Sequence, residues 1–179
     1  MRNIAKYLCL LLISVLLLTG CDLGVIGDAM DAAKDTVSEK TFTNGGITMT
    51  LTSKFLDFSK IDGNEEEYTF FYSSDTHAIF AIDEPKADVA QYGAVDAKSY
   101  TALIAQLYEL NVEPEEKEGK FILTYEADEE DGSKLTFVCM TLETADSFVF
   151  IQASCPSEQY EADQAQIWSW LSSATVNEG

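Results

Sequence analysis

Three apolar-rich segments, at 121–127, 135–143 and 148–155, constrain the fold of this chain more strongly than any other feature. Each has the length and the β-branched and aromatic content of a strand. The connections between them are short and contain Asp131-Gly132 and Ala145-Asp146. Consecutive strands with such links pair as an antiparallel meander, because a parallel pair needs a long crossover. The sequence therefore predicts a three-stranded antiparallel unit.

The second hairpin of this meander has a predicted register. Placing the alternating apolar residues of both strands on one face pairs Leu142 with Val149 and leaves a two-residue loop. Cys139 then lies opposite Gln152. Because neighbouring side chains alternate between faces, Cys139 and Cys155 would point to opposite sides of the sheet. We predict two reduced, largely buried thiols rather than a disulfide.

Two earlier hairpins are also indicated. Asn44-Gly45-Gly46 is a turn signal between a short strand that starts near Thr41 and the alternating segment 47–51. The core-facing residues of that second strand would be Ile47, Met49 and Leu51. Segments 68–72 and 78–82 form the other predicted hairpin, joined by a polar turn.

Two helices complete the set of elements. Asp96 is the predicted N-cap of the first helix, and apolar residues recur at helical spacing after it. They are Tyr100, Leu103, Ile104, Leu107 and Tyr108. The second helix follows Pro156 and has acidic residues in its first turns. Its predicted apolar side carries Tyr160, Ile167, Trp168 and Leu171, with Trp170 off that stripe.

This order of elements defines an α+β fold, with an antiparallel sheet of about six strands and helices packed on it. Residues 41–176 are predicted to form one domain, since the length is sufficient for one core and short for two. The apolar content of 46%, with eight Tyr and ten Phe, argues against disorder in this region.

Three sequence landmarks, in this order, resemble the Mog1/PsbP-like superfamily. They are GITMTL, then HAIFAIDE leading through YGAVDAKSYTALIAQL, and finally SFVFIQASCPSEQYEADQAQIWSWLSSATV. The resemblance spans 41–176 and implies a compact scaffold whose relatives act as binding or assembly factors. No catalytic signature accompanies it, and no partner-binding residue of the relatives matches this sequence.

The start of the chain has the pattern of an export signal. Arg2 and Lys6 lead into an apolar run, 8–18, which is shorter than the roughly 20 residues of a spanning helix. The run ends in Leu18-Thr19-Gly20-Cys21, which resembles the lipobox of bacterial lipoproteins; the alternative is a cysteine that follows an apolar segment by chance. The resemblance implies that 1–20 is a cleaved signal peptide and that acylated Cys21 anchors the protein in membrane lipid. We expect a flexible tether at 21–40, partly helical between 28 and 37, and a bacterial cell membrane location on the extracytoplasmic face.

The net charge of the chain restricts the classes of partner that it can bind. The formal net charge is −20, and loss of the leader would remove two of the eleven basic residues. Such a surface repels nucleic acid and anionic headgroups and attracts basic partners. A merely solvated surface is the other interpretation.

Catalytic and metal-binding patterns are weak. His77 is the single histidine of the chain and is predicted to be exposed at a turn edge, where it could act with neither Cys139 nor Cys155. The acidic cluster 128–131 does not match the EF-hand spacing and is interpreted as a solvated hairpin loop, as are 65–67 and 113–118. No catalytic residue, metal or cofactor is predicted.

The leading functional hypothesis is a non-catalytic binding or assembly module at the cell envelope, which contacts an envelope protein or a small ligand. The alternatives are a structural accessory subunit of a membrane complex and an unrecognised hydrolase. Candidate contact residues, provided that they are exposed, are Tyr68, Phe71, Tyr72, Tyr92 and Trp170. For most of these five, a place in the core is the favoured alternative.

Overall fold

The computed structural model describes residues 37–59, 68–129 and 131–177. Their ten strands are β1 (Glu39–Asn44), β2 (Ile47–Thr52), β3 (Leu56–Asp57), β4 (Phe70–Ser73), β5 (Ala78–Pro85), β6 (Glu115–Lys117), β7 (Lys120–Asp128), β8 (Lys134–Glu143), β9 (Ser147–Pro156) and β10 (Thr175–Val176). The helices are α1 (Lys86–Val89), which continues as a 3₁₀ helix (Ala90–Tyr92), α2 (Ala97–Leu107) and α3 (Ser157–Ser172). The predicted signal peptide, Cys21 and nearly all of the tether lie outside the described residues, as does the acidic segment 65–67.

The strands form two antiparallel sheets. The larger has seven strands in the order β3-β4-β5-β9-β8-β7-β6, and the smaller has the order β1-β2-β10. The predicted α+β class is confirmed, but the count of about six strands is too low for the part of the chain that the structure describes. The strands that the sequence did not indicate are β3, β6 and β10, which have two or three residues each. Segments this short are not long enough to show an alternating pattern.

The predicted meander is confirmed as β7, β8 and β9. Leu142 pairs with Val149, and the amide of Thr144 donates to the carbonyl of Ser147 at 3.0 Å, which closes the two-residue loop. Cys139 lies opposite Gln152, as the register predicted. Both described cysteines are free and buried.

Each face of the seven-stranded sheet has its own apolar core. The α3-side core combines residues from β4, β5, β8 and β9 with Ile167 and Leu171 of α3 and with Ile47, Met49 and Leu51 of β2. The α2-side core lies on the opposite face and includes Tyr100 and Ile104 of α2. Cys155 belongs to the α3-side core and Cys139 to the α2-side core, which explains why they do not form a disulfide.

The β1–β2 turn requires glycine. Gly45 and Gly46 have φ values of +53° and +80°, as a tight hairpin turn demands. Gly45 also lies against Thr69, whose carbonyl oxygen would be 2.6 Å from a Cβ at position 45. The turn signal in the sequence therefore marks a close approach between the two sheets as well as a reversal of the chain.

One prediction for the C-terminal helix is wrong. Trp170 is buried at 5% exposure, whereas Trp168 is half-buried and has the ammonium of Lys117 4.2 Å from its ring centroid. The ring of Trp170 packs edge to face with Phe55 at a centroid distance of 5.1 Å. The helix therefore contacts both sheets, which widens its buried face beyond the stripe that periodicity indicated.

Candidate functional site

The structure separates the five candidate contact residues into two groups. Four of them are buried in the two cores, with exposed fractions of 2–8%: Tyr68, Phe71, Tyr72 and Trp170. Tyr92 is 45% exposed, at the end of the 3₁₀ helix. Of the five, Tyr92 is therefore the side chain that a partner could reach without rearrangement of a core.

Tyr92 belongs to a projecting segment, residues 86–97, which we call the ledge. It leaves the end of β5, runs through α1 and the 3₁₀ helix, and returns to the start of α2. Val89 and Ala94 are buried in the α2-side core, whereas Val95 is 74% exposed. No pattern in the sequence distinguishes Val95, because an isolated valine two residues after Gly93 has no periodic context. Tyr92 and Val95 are thus two exposed apolar side chains three positions apart in the ledge.

A single carboxylate holds both ends of the ledge. Oε1 of Glu143 accepts a hydrogen bond from Nζ of Lys86 at 2.8 Å, and Oε2 accepts one from the amide of Ala97 at 2.9 Å. The amide of Lys86 also donates to the carbonyl of Asp146 at 2.9 Å. The ledge is thus fastened at its first and last residues to the β8–β9 hairpin.

The end of the ledge is fixed by the N-cap of α2. The side chain of Asp96 accepts from the amide of Ser99 at 2.7 Å, and Oγ of Ser99 accepts from the amides of Asp96 and Val95 at 3.0 and 2.9 Å. These bonds form a capping box and confirm the predicted role of Asp96. Val95 is therefore exposed at its side chain but constrained at its backbone.

Two carboxylates at the ends of the ledge, those of Asp96 and Glu143, are stabilised in their ionised forms. Hydrogen bonds from Ser99 lower the pKa of Asp96, and the hydrogen bond from Lys86 lowers the pKa of Glu143. Asp88 and Asp146 are also exposed. The ledge therefore carries exposed carboxylates as well as the apolar side chains of Tyr92 and Val95.

His77 is buried, which corrects the prediction of an exposed histidine. It is 8% exposed, and its ring packs at right angles to that of Trp170 with a centroid distance of 5.1 Å. Nδ1 lies 2.8 Å from Oγ1 of Thr76, while Nε2 lies 3.3 Å from Oδ2 of Asp163 in a geometry suited to an ion pair. Burial lowers the pKa of His77, and the charge of Asp163 opposes that shift. The turn position of His77 and the helix after Pro156 were both predicted, but the contact of His77 with that helix was not.

The two described thiols are poorly suited to nucleophilic attack. Burial and the charge of Asp163 raise the pKa of Cys155 to about 11, and burial raises the pKa of Cys139 further. A catalytic cysteine needs the opposite shift, toward the thiolate. Both thiols therefore act as core residues in this fold.

A network of polar side chains lies inside the α2-side core. The hydroxyl of Tyr125 donates to Oε1 of Gln152 at 3.2 Å, and Sγ of Cys139 lies 3.5 Å from the same oxygen. The hydroxyl of Tyr100 donates to Oε2 of Glu84 at 2.8 Å. Among the described groups, Nε2 of Gln152 has no hydrogen-bond partner. The bond of Tyr100 joins α2 to β5, and the contacts of Gln152 join β9 to β7 and β8, so these buried polar groups have a structural role.

The acidic loop at 128–131 is stabilised by its own neighbours. Asp128 lies 3.4 Å from Nζ of Lys134, and Asp131 accepts from the amide of Ser133 at 2.9 Å, while Glu130 lies outside the described residues. Within the described ranges, no group of three or more His, Cys, Asp or Glu side chains is arranged to hold a metal ion. None of the described helices combines the length and the apolarity that crossing a membrane requires.

No protein-family model and no curated protein matches this chain in sequence. Solved structures do resemble it. The Ran-binding protein Mog1p of Saccharomyces cerevisiae is 12% identical, with a TM-score of 0.51 over 79% of this chain and 96% of Mog1p. Cyanobacterial PsbP (CyanoP) of Synechocystis is 9% identical, with a TM-score of 0.48 over 80% of this chain and 95% of its own. A protein of Bacteroides thetaiotaomicron is 15% identical, with a TM-score of 0.45 over 78% of this chain and 48% of its own.

The likeness to Mog1p shows the fold, and that fold is the one that the sequence landmarks implied. The described part of the chain has a Mog1/PsbP-like fold. At this level of identity the likeness carries no assignment of function, because one fold supports many functions.

Proposed function

We propose that this chain is a lipid-anchored bacterial lipoprotein on the extracytoplasmic face of the membrane, and that its folded region is a non-catalytic protein-binding or assembly module. The ledge is the contact surface. The observation that carries the proposal is the pair Tyr92 and Val95, which are 45% and 74% exposed on a backbone that is fixed at both ends.

A fixed apolar surface is favourable for binding. Exposed apolar groups lose contact with water when a partner covers them, and a constrained backbone loses little entropy on association. Tyrosine is also among the residues that contribute most to protein interfaces. Glu143, Asp96 and Ser99 hold the ledge in one conformation, so binding energy is not consumed in ordering it.

The non-catalytic part of the proposal is supported by the positions of the reactive side chains. His77, Cys139 and Cys155 are all buried, and the pKa of each thiol is raised away from reactivity. Mog1p, which shares the fold, is named as a Ran-binding protein. A protein partner is therefore a reasonable expectation for this chain, although the partner of Mog1p does not identify it.

The anchor is tested at Cys21. In cells, Cys21→Ala should release the protein from the membrane fraction or leave its precursor uncleaved, because the acyl acceptor is lost. Cys9→Ala is the matched control, since it changes a cysteine within the apolar run, and it should leave fractionation and processing unchanged. Membrane fractionation and intact mass are the measurements. Normal membrane retention and normal processing of Cys21→Ala would exclude the lipoprotein assignment.

The contact surface is tested by photo-crosslinking in native membranes. A benzophenone amino acid replaces Tyr92 or Val95, and Glu158, an exposed residue on α3, provides the control position. We expect one discrete crosslinked protein from both ledge positions and none from position 158. Equal labelling from all three positions, or none from the ledge, would contradict the proposal. A crosslinked partner that also stays in stoichiometric amount through purification would mark the chain as a permanent subunit.

A further inference from the structure

The ledge carries an uneven distribution of charge. Asp88 and Asp96 belong to the ledge itself, and Asp146 lies in the β8–β9 turn that hydrogen-bonds to its first residue. Lys86 is already engaged, because its ammonium contacts Glu143 at 2.8 Å and lies 5.2 Å from the ring centroid of Phe148. The second cation of this segment is Lys98, in the first turn of α2. The segment 86–98 and the hairpin residues 143–146 together hold four carboxylates and two ammonium groups, so this part of the surface is acidic.

Charge also decides among possible occupants. The chain has a formal net charge of −20, so a second copy would be repelled as it approached this acidic surface. An anionic lipid surface would be repelled for the same reason. A cationic polypeptide would be attracted and oriented, since complementary potentials steer association and suppress wrong partners.

We propose that the ledge binds a basic protein segment, in which an apolar side chain packs between Tyr92 and Val95 while lysine or arginine side chains meet Asp88, Asp96 and Asp146. This inference rests on the proposed function of the ledge and adds the chemistry of its partner. The ledge is small compared with the roughly 800 Å² that each side of a stable interface buries. The complex is accordingly transient and sensitive to salt.

The first experiment uses a defined probe and the full-length lipidated chain in neutral detergent. The probe is a fluorescein-labelled twelve-residue peptide of alternating lysine and leucine, and binding is followed by anisotropy. Two control peptides replace either every lysine with glutamate or every leucine with serine. We expect saturable binding of the first peptide only, with affinity falling about tenfold between about 50 and 200 mM salt.

Paired variants of equal charge locate the binding. Asp88→Asn with Asp146→Asn should weaken binding at least about threefold, because both carboxylates border the ledge. Glu115→Gln with Glu116→Gln removes the same charge from the exposed strand β6 and should change it less than about twofold. Tyr92→Ser with Val95→Ser should weaken binding while the circular dichroism spectrum stays unchanged. Equal effects of the two charge pairs would show general attraction to a polyanion and would overturn the inference.

The crosslinking described above separates the two levels of the proposal. If the ledge captures one protein but the crosslinked segment is neutral or acidic, the contact surface stands and its proposed chemistry is wrong. If the ledge captures nothing, the proposed function of the ledge fails as well. A crosslinked segment that carries lysine or arginine beside an apolar residue supports both.

Discussion

Glu143 and Lys86 form an ion pair, at 2.8 Å, between the end of strand β8 and the first residue of the ledge. The same carboxylate accepts a hydrogen bond from the amide of Ala97. One side chain therefore holds the first and the last residue of the ledge. The conformation of the ledge thus depends on Glu143, a residue that lies outside the ledge.

Replacing Glu143 with Ala should loosen the ledge without unfolding the protein. The ion pair is partly exposed, so its loss should lower the free energy of unfolding by no more than about 1 kcal/mol. Amide hydrogen exchange at Ala97 and Lys86 should become faster, whereas exchange in β8 and β9 should not. Asp128→Asn breaks the more exposed pair with Lys134 and serves as the control. Unchanged exchange at Ala97 in Glu143→Ala would show that Glu143 does not hold the end of the ledge.

The turn between β1 and β2 predicts unequal effects of two neighbouring substitutions. Gly46→Ala should cost about 1–2 kcal/mol, because alanine is strained at a φ of +80°, while its Cβ would meet nothing nearer than the carbonyl oxygen of Asn177 at 3.8 Å. Gly45→Ala should cost about 2 kcal/mol more, since its Cβ would also meet the Thr69 carbonyl oxygen at 2.6 Å. Urea denaturation of both variants measures the difference. Equal losses would mean that the two sheets do not approach each other at Thr69.

The buried hydrogen bond between Tyr125 and Gln152 predicts that substitutions at these two residues have non-additive effects on the free energy of unfolding. Tyr125→Phe removes the donor of a buried hydrogen bond, and Gln152→Leu leaves the Tyr125 hydroxyl without its acceptor, so each should cost about 1–3 kcal/mol. In the double variant both polar groups are gone, together with the amide nitrogen of Gln152 that has no partner among the described residues. We expect the double variant to cost at least about 1 kcal/mol less than the sum of the singles. Additive losses would show that the two side chains act independently.

His77 predicts a pH dependence of stability. Burial holds its pKa below the ordinary value of 6.5, so the unfolded chain binds the proton more readily than the folded protein does. The stabilisation due to the neutral ring is therefore complete above about pH 6.5 and declines as the pH falls, until the folded pKa is also passed. His77→Gln should remove this slope between about pH 7.5 and 5.5, where carboxylates scarcely titrate.

The same ring can be observed directly, because the chain has one histidine. Its imidazole proton resonance should titrate below 6.5, and Asp163→Asn should move the midpoint lower still, because the carboxylate of Asp163 raises the pKa. A midpoint above 6.5 in the parent protein would show that the ion pair with Asp163 outweighs burial.

Local sequence patterns, above all the alternation of apolar and polar residues, made part of this fold predictable. The register of β8 and β9, the N-cap at Asp96 and the burial of Ile47, Met49 and Leu51 all follow from patterns within a few residues. The burial of His77 and Trp170 could not be predicted in this way. Both depend on α3 crossing two sheets, a tertiary arrangement in which residues 77 and 163 meet across 86 positions of sequence.

The candidate site was predictable only in part. Tyr92 was identified as an aromatic residue of uncertain burial, and its exposure depends on how Val89 and Ala94 anchor the ledge. The hydrogen bonds of Glu143 to the ledge could not be predicted from the sequence, because an acidic residue at the end of a strand normally indicates only contact with solvent.

Within the ledge, which the structure describes in full, the core takes up Val89 and Ala94, and the exposed positions are free of packing constraints. Under the proposed function, Tyr92, Val95 and Asp88 would contribute to recognition without supporting the core, whereas Asp96 would serve both as a contact and as the N-cap of α2. If the ledge binds as proposed, substitutions at Tyr92, Val95 or Asp88 should change which partner is recognised while the scaffold keeps its free energy of unfolding. A lineage of such proteins could diverge in recognition without passing through unstable intermediates, and the same separation would let an engineer graft a new binding preference onto this fold.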